Sequence, residues 1–260
     1  MKLRPNSKIV LFLSFLLIIV QVGCASAPTQ RTLSKKEKAR LLVEAANGAL
    51  FEGDAIGALQ LLKSAEAQDD SLPELYHSRA LAFYSKRDIQ EAIKASEIAV
   101  KLKPDYADAN NTLGKLLMDD GQYKKAEAPL LVAANDPLYR EAFKANTNIG
   151  ILYYRQNQFG KAVKHLTKAI EEAPANSCIS HYYRGHIYLR AGDLKSAIND
   201  YDKATHKFCS TFGEAHYALG IAYERNKQYD LARKKYVDVK QNFSNTNFAE
   251  KAMERLKYLP

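Results

Sequence analysis

Residues 110–133 carry Asn110-Asn111-Thr112-Leu113-Gly114, then Gly121-Gln122-Tyr123-Lys124-Lys125-Ala126, then Leu130 and Ala133. The same order returns as Asn146-Thr147-Asn148-Ile149-Gly150, Asn157-Gln158-Phe159-Gly160-Lys161-Ala162, then Leu166 and Ala169. Each copy reads as two amphipathic helices joined by a tight turn. Gly114 and Gly150 fall in the middle of the first helix, where glycine costs about 1 kcal/mol against alanine. They make sense where a second helix packs too closely for a larger side chain. Ala126 and Ala162 supply the small face opposite.

The pattern extends in both directions. The first small position is Ala46, Ala80, Gly114, Gly150, Gly185 and Gly220. The second is Ala58, Ala92, Ala126, Ala162, Ala197 and Ala232. Seven residues after the second comes Ala65, Ala99, Ala133, Ala169, Ala204 and, as the one departure, Val239. Three series in one register with a period near 34 residues resemble the tetratricopeptide repeat. The resemblance implies an all-α solenoid of six helix-turn-helix repeats, residues 34–245, whose apolar faces stack into one continuous core. Phe248, Ala252, Leu256 and Leu259 then share one helical stripe, so residues 246–260 read as a C-terminal capping helix. Asn135-Asp136-Pro137-Leu138-Tyr139-Arg140 lengthens the connection between repeats three and four.

The chain is 260 residues long, 47% hydrophobic and 26% charged, an ordinary globular balance. Its formal charge is +9. Lys2, Arg4 and Lys8 contribute three of those charges within the N-terminal segment. Much of the remaining lysine falls on second helices, as at Lys124, Lys125, Lys161, Lys164 and Lys168, and reads as a solvated convex face. Nothing resembles a nucleic-acid module, and no small-molecule substrate or cofactor is implied.

At the N-terminus, a basic start is followed by a 14-residue apolar run, Ile9 to Val22, broken only by Ser14 and Gln21. That is shorter than the roughly 20 residues a spanning helix needs and fits an export signal. Val22-Gly23-Cys24-Ala25 resembles a bacterial lipobox, in which Cys24 becomes the acylated N-terminus. Gln21 departs from that pattern, and a plain secretory cut near Ala25-Ser26-Ala27 is the alternative. The expected organisation is a signal at 1–23 and a lipidated tether at 24–33. Ala25, in place of aspartate, implies an outer-membrane destination facing the periplasm. Ser34 and Glu37 have the spacing of a capping box at the first helix.

No catalytic motif is present, and the histidines show no metal-ligand spacing; His181 and His186 stand about 140° apart around a helix. The chain reads as a non-enzyme. In the repeat family the first helices line a concave groove. Its positions here include Asn47, His77, Asn111, Lys115, Thr147, Tyr154, Arg155, Tyr182, His186, Arg190, Tyr217 and Arg225. This polar and aromatic set suits a peptide with acidic character. Tyr182→Ala and Arg190→Ala are expected to leave stability little changed, because neither is a consensus packing position. Cys178 opens the first helix of repeat five and Cys209 follows its second. Antiparallel helices return the chain to the same end, so an oxidising compartment allows a disulfide; two buried thiols are the alternative.

Repeats three and four carry a narrower likeness. Asn110-Asn111…Gly114, Leu130-Leu131…Ala133-Ala134, Asp136-Pro137-Leu138-Tyr139 and Asn148-Ile149-Gly150 resemble the type IV pilus biogenesis lipoproteins known as pilotins. That resemblance implies an outer-membrane lipoprotein that binds the pilus secretin and promotes its localisation and assembly. A general repeat scaffold for envelope or cell-wall machinery is the other reading of the same residues.

Overall fold

The computed structural model describes residues 32–260. The expected signal, Cys24 and the tether up to Arg31 lie outside the described residues. Lys35–Pro260 forms one compact unit, and its regular structure is helical. Repeat one pairs α1 (Lys35–Phe51) with α2 (Ala55–Gln68). Repeat two pairs α3 (Pro73–Ser85) with α4 (Ile89–Leu102), and repeat three α5 (Ala107–Asp119) with α6 (Tyr123–Asn135). Repeat four pairs α7 (Ala142–Arg155) with α8 (Phe159–Glu172), and repeat five α9 (Cys178–Ala191) with α10 (Leu194–Lys203). Repeat six pairs α11 (Gly213–Arg225) with α12 (Tyr229–Asn242), and α13 (Asn247–Tyr258) follows.

All three small-residue series are fully buried. The reason lies sixteen residues after the first series, at Leu62, Ser96, Leu130, Leu166, Tyr201 and Tyr236, each with no exposed surface. A Cβ on Gly114 would collide with Leu130. On Gly150 it would stand 2.5 Å from Leu166, on Gly185 2.8 Å from the Tyr201 ring, and on Gly220 2.6 Å from the Tyr236 ring. These gaps are far inside the carbon–carbon contact distance of about 3.5–4.0 Å. The large side chain of the second helix therefore lies directly on the backbone of the first.

The turn within each repeat is as regular. The fifteenth repeat residue is left-handed in all six: Gly53, Arg87, Gly121, Asn157, Gly192 and Lys227, with φ between 58° and 85°. Glycine and asparagine fit that region; Arg87 and Lys227 adopt it at a cost of roughly 1–2 kcal/mol each. The next residue caps the second helix wherever it is aspartate. Asp54, Asp88 and Asp193 accept from the backbone N–H groups of Gly57, Glu91 and Ser196 at 2.8, 3.3 and 3.0 Å.

First helices of successive repeats touch from repeat one to repeat five, whereas among the described residues second helices make no comparable contact with one another. The solenoid therefore curves with its first helices inside. The contact is weakest between α9 and α11. There α10 stops ten residues in, and residues 204–212 form a long connector with a short 3₁₀ turn at Lys207–Cys209. This connector, rather than the Pro137 segment, is the longest in the solenoid. The C-terminal stripe is laid down on repeat six, where Ala252 and Leu259 are buried with Tyr236 and Val239, and Phe248 and Leu256 pack against them.

The expected single apolar core is divided into four clusters among the described residues, and one of the breaks falls in repeat five. Asp200, 1% exposed, holds His181 Nδ1 at 2.8 Å and accepts from Arg184 Nε and Nη2 at 2.7 and 2.8 Å. Arg184 Nη1 also donates to the Thr167 hydroxyl of α8 at 2.9 Å. A buried polar network thus stands within the helix pair of repeat five, and the buried apolar groups on either side of it form separate clusters.

Gly150→Ala is expected to destabilise the protein by about 1–3 kcal/mol through overpacking, although alanine is the better helix former by about 1 kcal/mol. Adding Leu166→Ala should return part of that loss relative to Leu166→Ala alone. Urea denaturation of the four-membered cycle measures the coupling, and additive effects would contradict the contact.

Candidate functional site

The inner face of repeats four and five carries a continuous aromatic wall. The Tyr154 ring, at the end of α7, meets the Tyr183 ring of α9 edge-on at 5.2 Å. Tyr182 lies 5.4 Å from Tyr183, 4.3 Å from His186 and 6.1 Å from Tyr201. The Tyr201 hydroxyl and His186 Nδ1 are 2.6 Å apart. Phe212, in the long connector, closes the far side 4.9 Å from Tyr182. It partly fills the gap where α9 and α11 stand apart. Cys178 and Cys209 are joined by a disulfide with Cα atoms 5.5 Å apart, so the connector that delivers Phe212 is tied to the first residue of α9.

The wall is electrically neutral at its centre. Burial pushes the His186 imidazole down to about 4 from its ordinary 6.5. Burial, then nearby carboxylate and phenol charge, raises the Tyr182 hydroxyl. Charge comes from the rim. Arg155, Arg190 and Arg225 are all exposed, each at the thirteenth position of its repeat. Arg155 stands 6.0 Å from the Tyr123 ring centre, donates to the Met118 carbonyl at 3.2 Å and lies close enough to the Tyr183 hydroxyl to act on it electrostatically. Arg190 lies 4.9 Å over the Phe159 ring. Arg225 lies near enough to Tyr201 to act on its hydroxyl electrostatically. Glu214 is the carboxylate that faces Tyr182.

Of the residues expected to line the groove, the structure thus brings together Tyr154, Arg155, Tyr182, His186 and Arg190. Tyr217 belongs elsewhere, 5.9 Å from Tyr236 and 6.1 Å from Phe248 of the capping helix. Asn111, Lys115 and Thr147 line a separate inner-face cavity of about 310 Å³ with Asn148, Ile179 and Ser180. Two of these are already satisfied. Thr147 is buried, its hydroxyl donating to the Phe143 carbonyl at 2.7 Å and lying 2.7 Å from the Ser180 hydroxyl. Lys115 pairs with Asp119 at 2.7 Å and donates to the Tyr84 hydroxyl at 2.5 Å. Asn111 accepts from Asn148 at 2.9 Å. Toward the N-terminus, His77 contacts the Thr112 hydroxyl at 3.0 Å, and Asn47 accepts from Ser78 at 2.6 Å.

Tyr182 does not behave as a free groove residue. It is half-buried among four rings, so truncating it removes packing, and the expectation that Tyr182→Ala leaves stability unchanged is corrected. Sequence reasoning also missed Tyr183, Tyr201, Phe159 and Phe212. The Tyr182-Tyr183 pair was the available signal; Phe212 reaches the wall only through the connector. Among the described residues no group of three or more His, Cys, Asp or Glu converges as metal ligands.

Tetratricopeptide-repeat family models match residues 77–140, 143–176 and 182–243. The chain belongs to the tetratricopeptide-repeat family, whose members are in general non-enzymatic scaffolds for protein–protein interaction. It is 27% identical over 211 residues to the BBSome complex member BBS4 of Mus musculus, covering 76% of this chain and 38% of that protein. It is 28% identical over 167 residues to tetratricopeptide repeat protein 6 of Homo sapiens, covering 61% and 31%. The chain therefore spans well under half the length of these curated relatives. Among solved structures, it resembles PilW, described as a widely conserved type IV pilus biogenesis factor, with TM-score 0.74, 19% identity, and 83% of this chain covering 98% of that one. It resembles Pseudomonas aeruginosa PilF with TM-score 0.74, 16% identity, and coverage of 85% and 99%. At these identities the likeness is one of fold.

Stability should depend on His186. Its folded pKa is below the unfolded value, so neutral imidazole favours the fold, and that contribution is lost as pH falls from 6.5 toward 4. The difference in unfolding free energy between wild type and His186→Gln is expected to shrink over that window. A difference independent of pH would contradict a buried neutral imidazole.

Proposed function

We propose that this chain is an outer-membrane lipoprotein, anchored through Cys24 and facing the periplasm, that binds the secretin of a type IV pilus system and promotes its assembly. The observation that carries this reading is the fold correspondence over nearly the whole of two pilus proteins, 98% of PilW and 99% of PilF. The curated repeat relatives are matched over small parts of longer chains, and MamA and YrrB, also matched nearly end to end, cover less of this chain at TM-scores of 0.57 and 0.54. Supporting it are the lipobox-like Val22-Gly23-Cys24-Ala25 and the aromatic wall, a surface type that suits a protein segment better than a small molecule. In this role the solenoid performs no chemistry. It holds one partner segment while the N-terminal lipid holds the scaffold at the membrane, so the partner's effective concentration at the assembly site rises.

Cys24→Ala is expected to release the protein from the outer-membrane fraction and reduce assembled secretin, while the thermal unfolding midpoint stays unchanged. Intact mass of the native protein should give an acylated N-terminus at Cys24. An unmodified N-terminus at Ser26, or normal secretin assembly with Cys24→Ala, would contradict the proposal.

A further inference from the structure

The arginines at the rim form a ladder. Arg155, Arg190 and Arg225 are 35 residues apart, the repeat period itself, so each occupies the same place at the inner end of a first helix. The corresponding residues of repeats one to three are Phe51, Ser85 and Asp119. The ladder therefore begins at repeat four, where the aromatic wall begins. Two rungs share one seat: Arg155 and Arg190 face the first residue of the preceding repeat's second helix, Tyr123 and Phe159. In the third the equivalent residue is Leu194.

This seat fixes the guanidinium without neutralising it. Among the described residues, none of the three arginines forms an ion pair, whereas Arg184 is bound to Asp200 and Arg255 to Glu224. Glu224, beside Arg225 in sequence, is occupied by Arg255 and by the Tyr236 hydroxyl. Arg190 and Arg225 donate no hydrogen bond among the described residues. Two guanidinium forks seated on rings and a third at the same repeat position, beside an aromatic surface whose neighbouring carboxylate is Glu214, call for carboxylates, which they bind with paired, charge-assisted hydrogen bonds. We infer that repeats four to six bind an extended acidic segment of a partner protein, with carboxylates three to four residues apart meeting Arg155, Arg190 and Arg225 and apolar or aromatic residues between them lying on Tyr154 and Tyr182.

The spacing follows from geometry. Neighbouring helices stand about 8–10 Å apart and an extended chain advances about 3.3 Å per residue. About three residues cross one repeat, and the wider joint between α9 and α11 takes one more. A helical segment, rising about 1.5 Å per residue, would need twice as many residues per rung. The inference rests on the proposed scaffold role but is tested apart from it.

The probe is a fluorescein-labelled twelve-residue peptide with Glu at positions 2, 5 and 9 and Tyr or Thr between, titrated against the full chain. Two control peptides carry the three Glu adjacent, or Gln in their place. The spaced peptide is expected to bind at least about tenfold more tightly than either control and to weaken as salt rises. Arg190→Gln and Arg225→Gln should each reduce its affinity by roughly tenfold, while the exposed Arg87→Gln, outside the ladder, leaves it unchanged. Equal binding of the Gln peptide, or of the peptide with clustered Glu, overturns the inference, as does unaltered affinity in both ladder variants. If the spaced peptide binds as expected yet both ladder variants assemble secretin normally, the acidic site stands and the secretin reading falls.

Discussion

The structure depends on one contact, made at a glycine in four of the six repeats. A glycine in the middle of the first helix lets the side chain sixteen residues later lie against bare backbone. Where the partner is Leu130, Leu166, Tyr201 or Tyr236, the small residue is glycine, and no Cβ fits. Ala46 faces the same count with Leu62, and Ala80 with Ser96, both fully buried. Ser96 is the weak member, since its hydroxyl is buried without a hydrogen-bond partner among the described residues. With that distance set, the left-handed fifteenth residue follows in every repeat, because a tight reversal is needed to bring position twenty-four back across position eight.

The same lattice makes the inner face. Close packing of the first helices puts their fifth, ninth, twelfth and thirteenth residues side by side in successive repeats, so any periodic choice there becomes a surface feature. Repeats four and five spend these positions on Tyr154, Tyr182 and His186, with arginine at the rim. The wall stays uncharged at its centre: burial lowers the His186 imidazole and raises the Tyr182 hydroxyl. The Cys178–Cys209 link joins two irregularities, the early end of α10 and the gap between α9 and α11, and carries Phe212 into that gap. Charge, apolar area and order therefore meet at the C-terminal half of the groove, whereas Lys115 and Thr147 have already committed their polar groups within the protein.

Much of this was legible in the sequence, for a physical reason. Helix boundaries, the turn at Gly53-Asp54 or Gly192-Asp193, and the buried small series all follow from local residue type and period, which repeat six times. Departures from the period were harder to read. The polar network of His181, Arg184 and Asp200 consists of charges whose pairing depends on three-dimensional proximity, so no spacing announces it. The shortening of α10 left its trace in Thr205, whose hydroxyl donates to the Asp202 carbonyl at 2.8 Å, and in the left-handed Lys207. Neither residue type is unusual inside a helix. For the site, the groove-facing positions identified Tyr154, Tyr182 and His186 but could not say which were free. Tyr217 turned toward the capping helix because Phe248 and Tyr236 offered it apolar area.

Functional contact concentrated on the inner face of repeats four to six is the centre of this reading of the molecule. Hydrogen–deuterium exchange of the acylated full chain, with and without detergent-solubilised secretin, addresses it most directly. Protection is expected in peptides covering residues 151–159, 182–192 and 213–226, with residues 35–102 unchanged. Protection confined to repeats one and two, around Asn47 and His77, or to the lysine-bearing faces of α6 and α8, would contradict it.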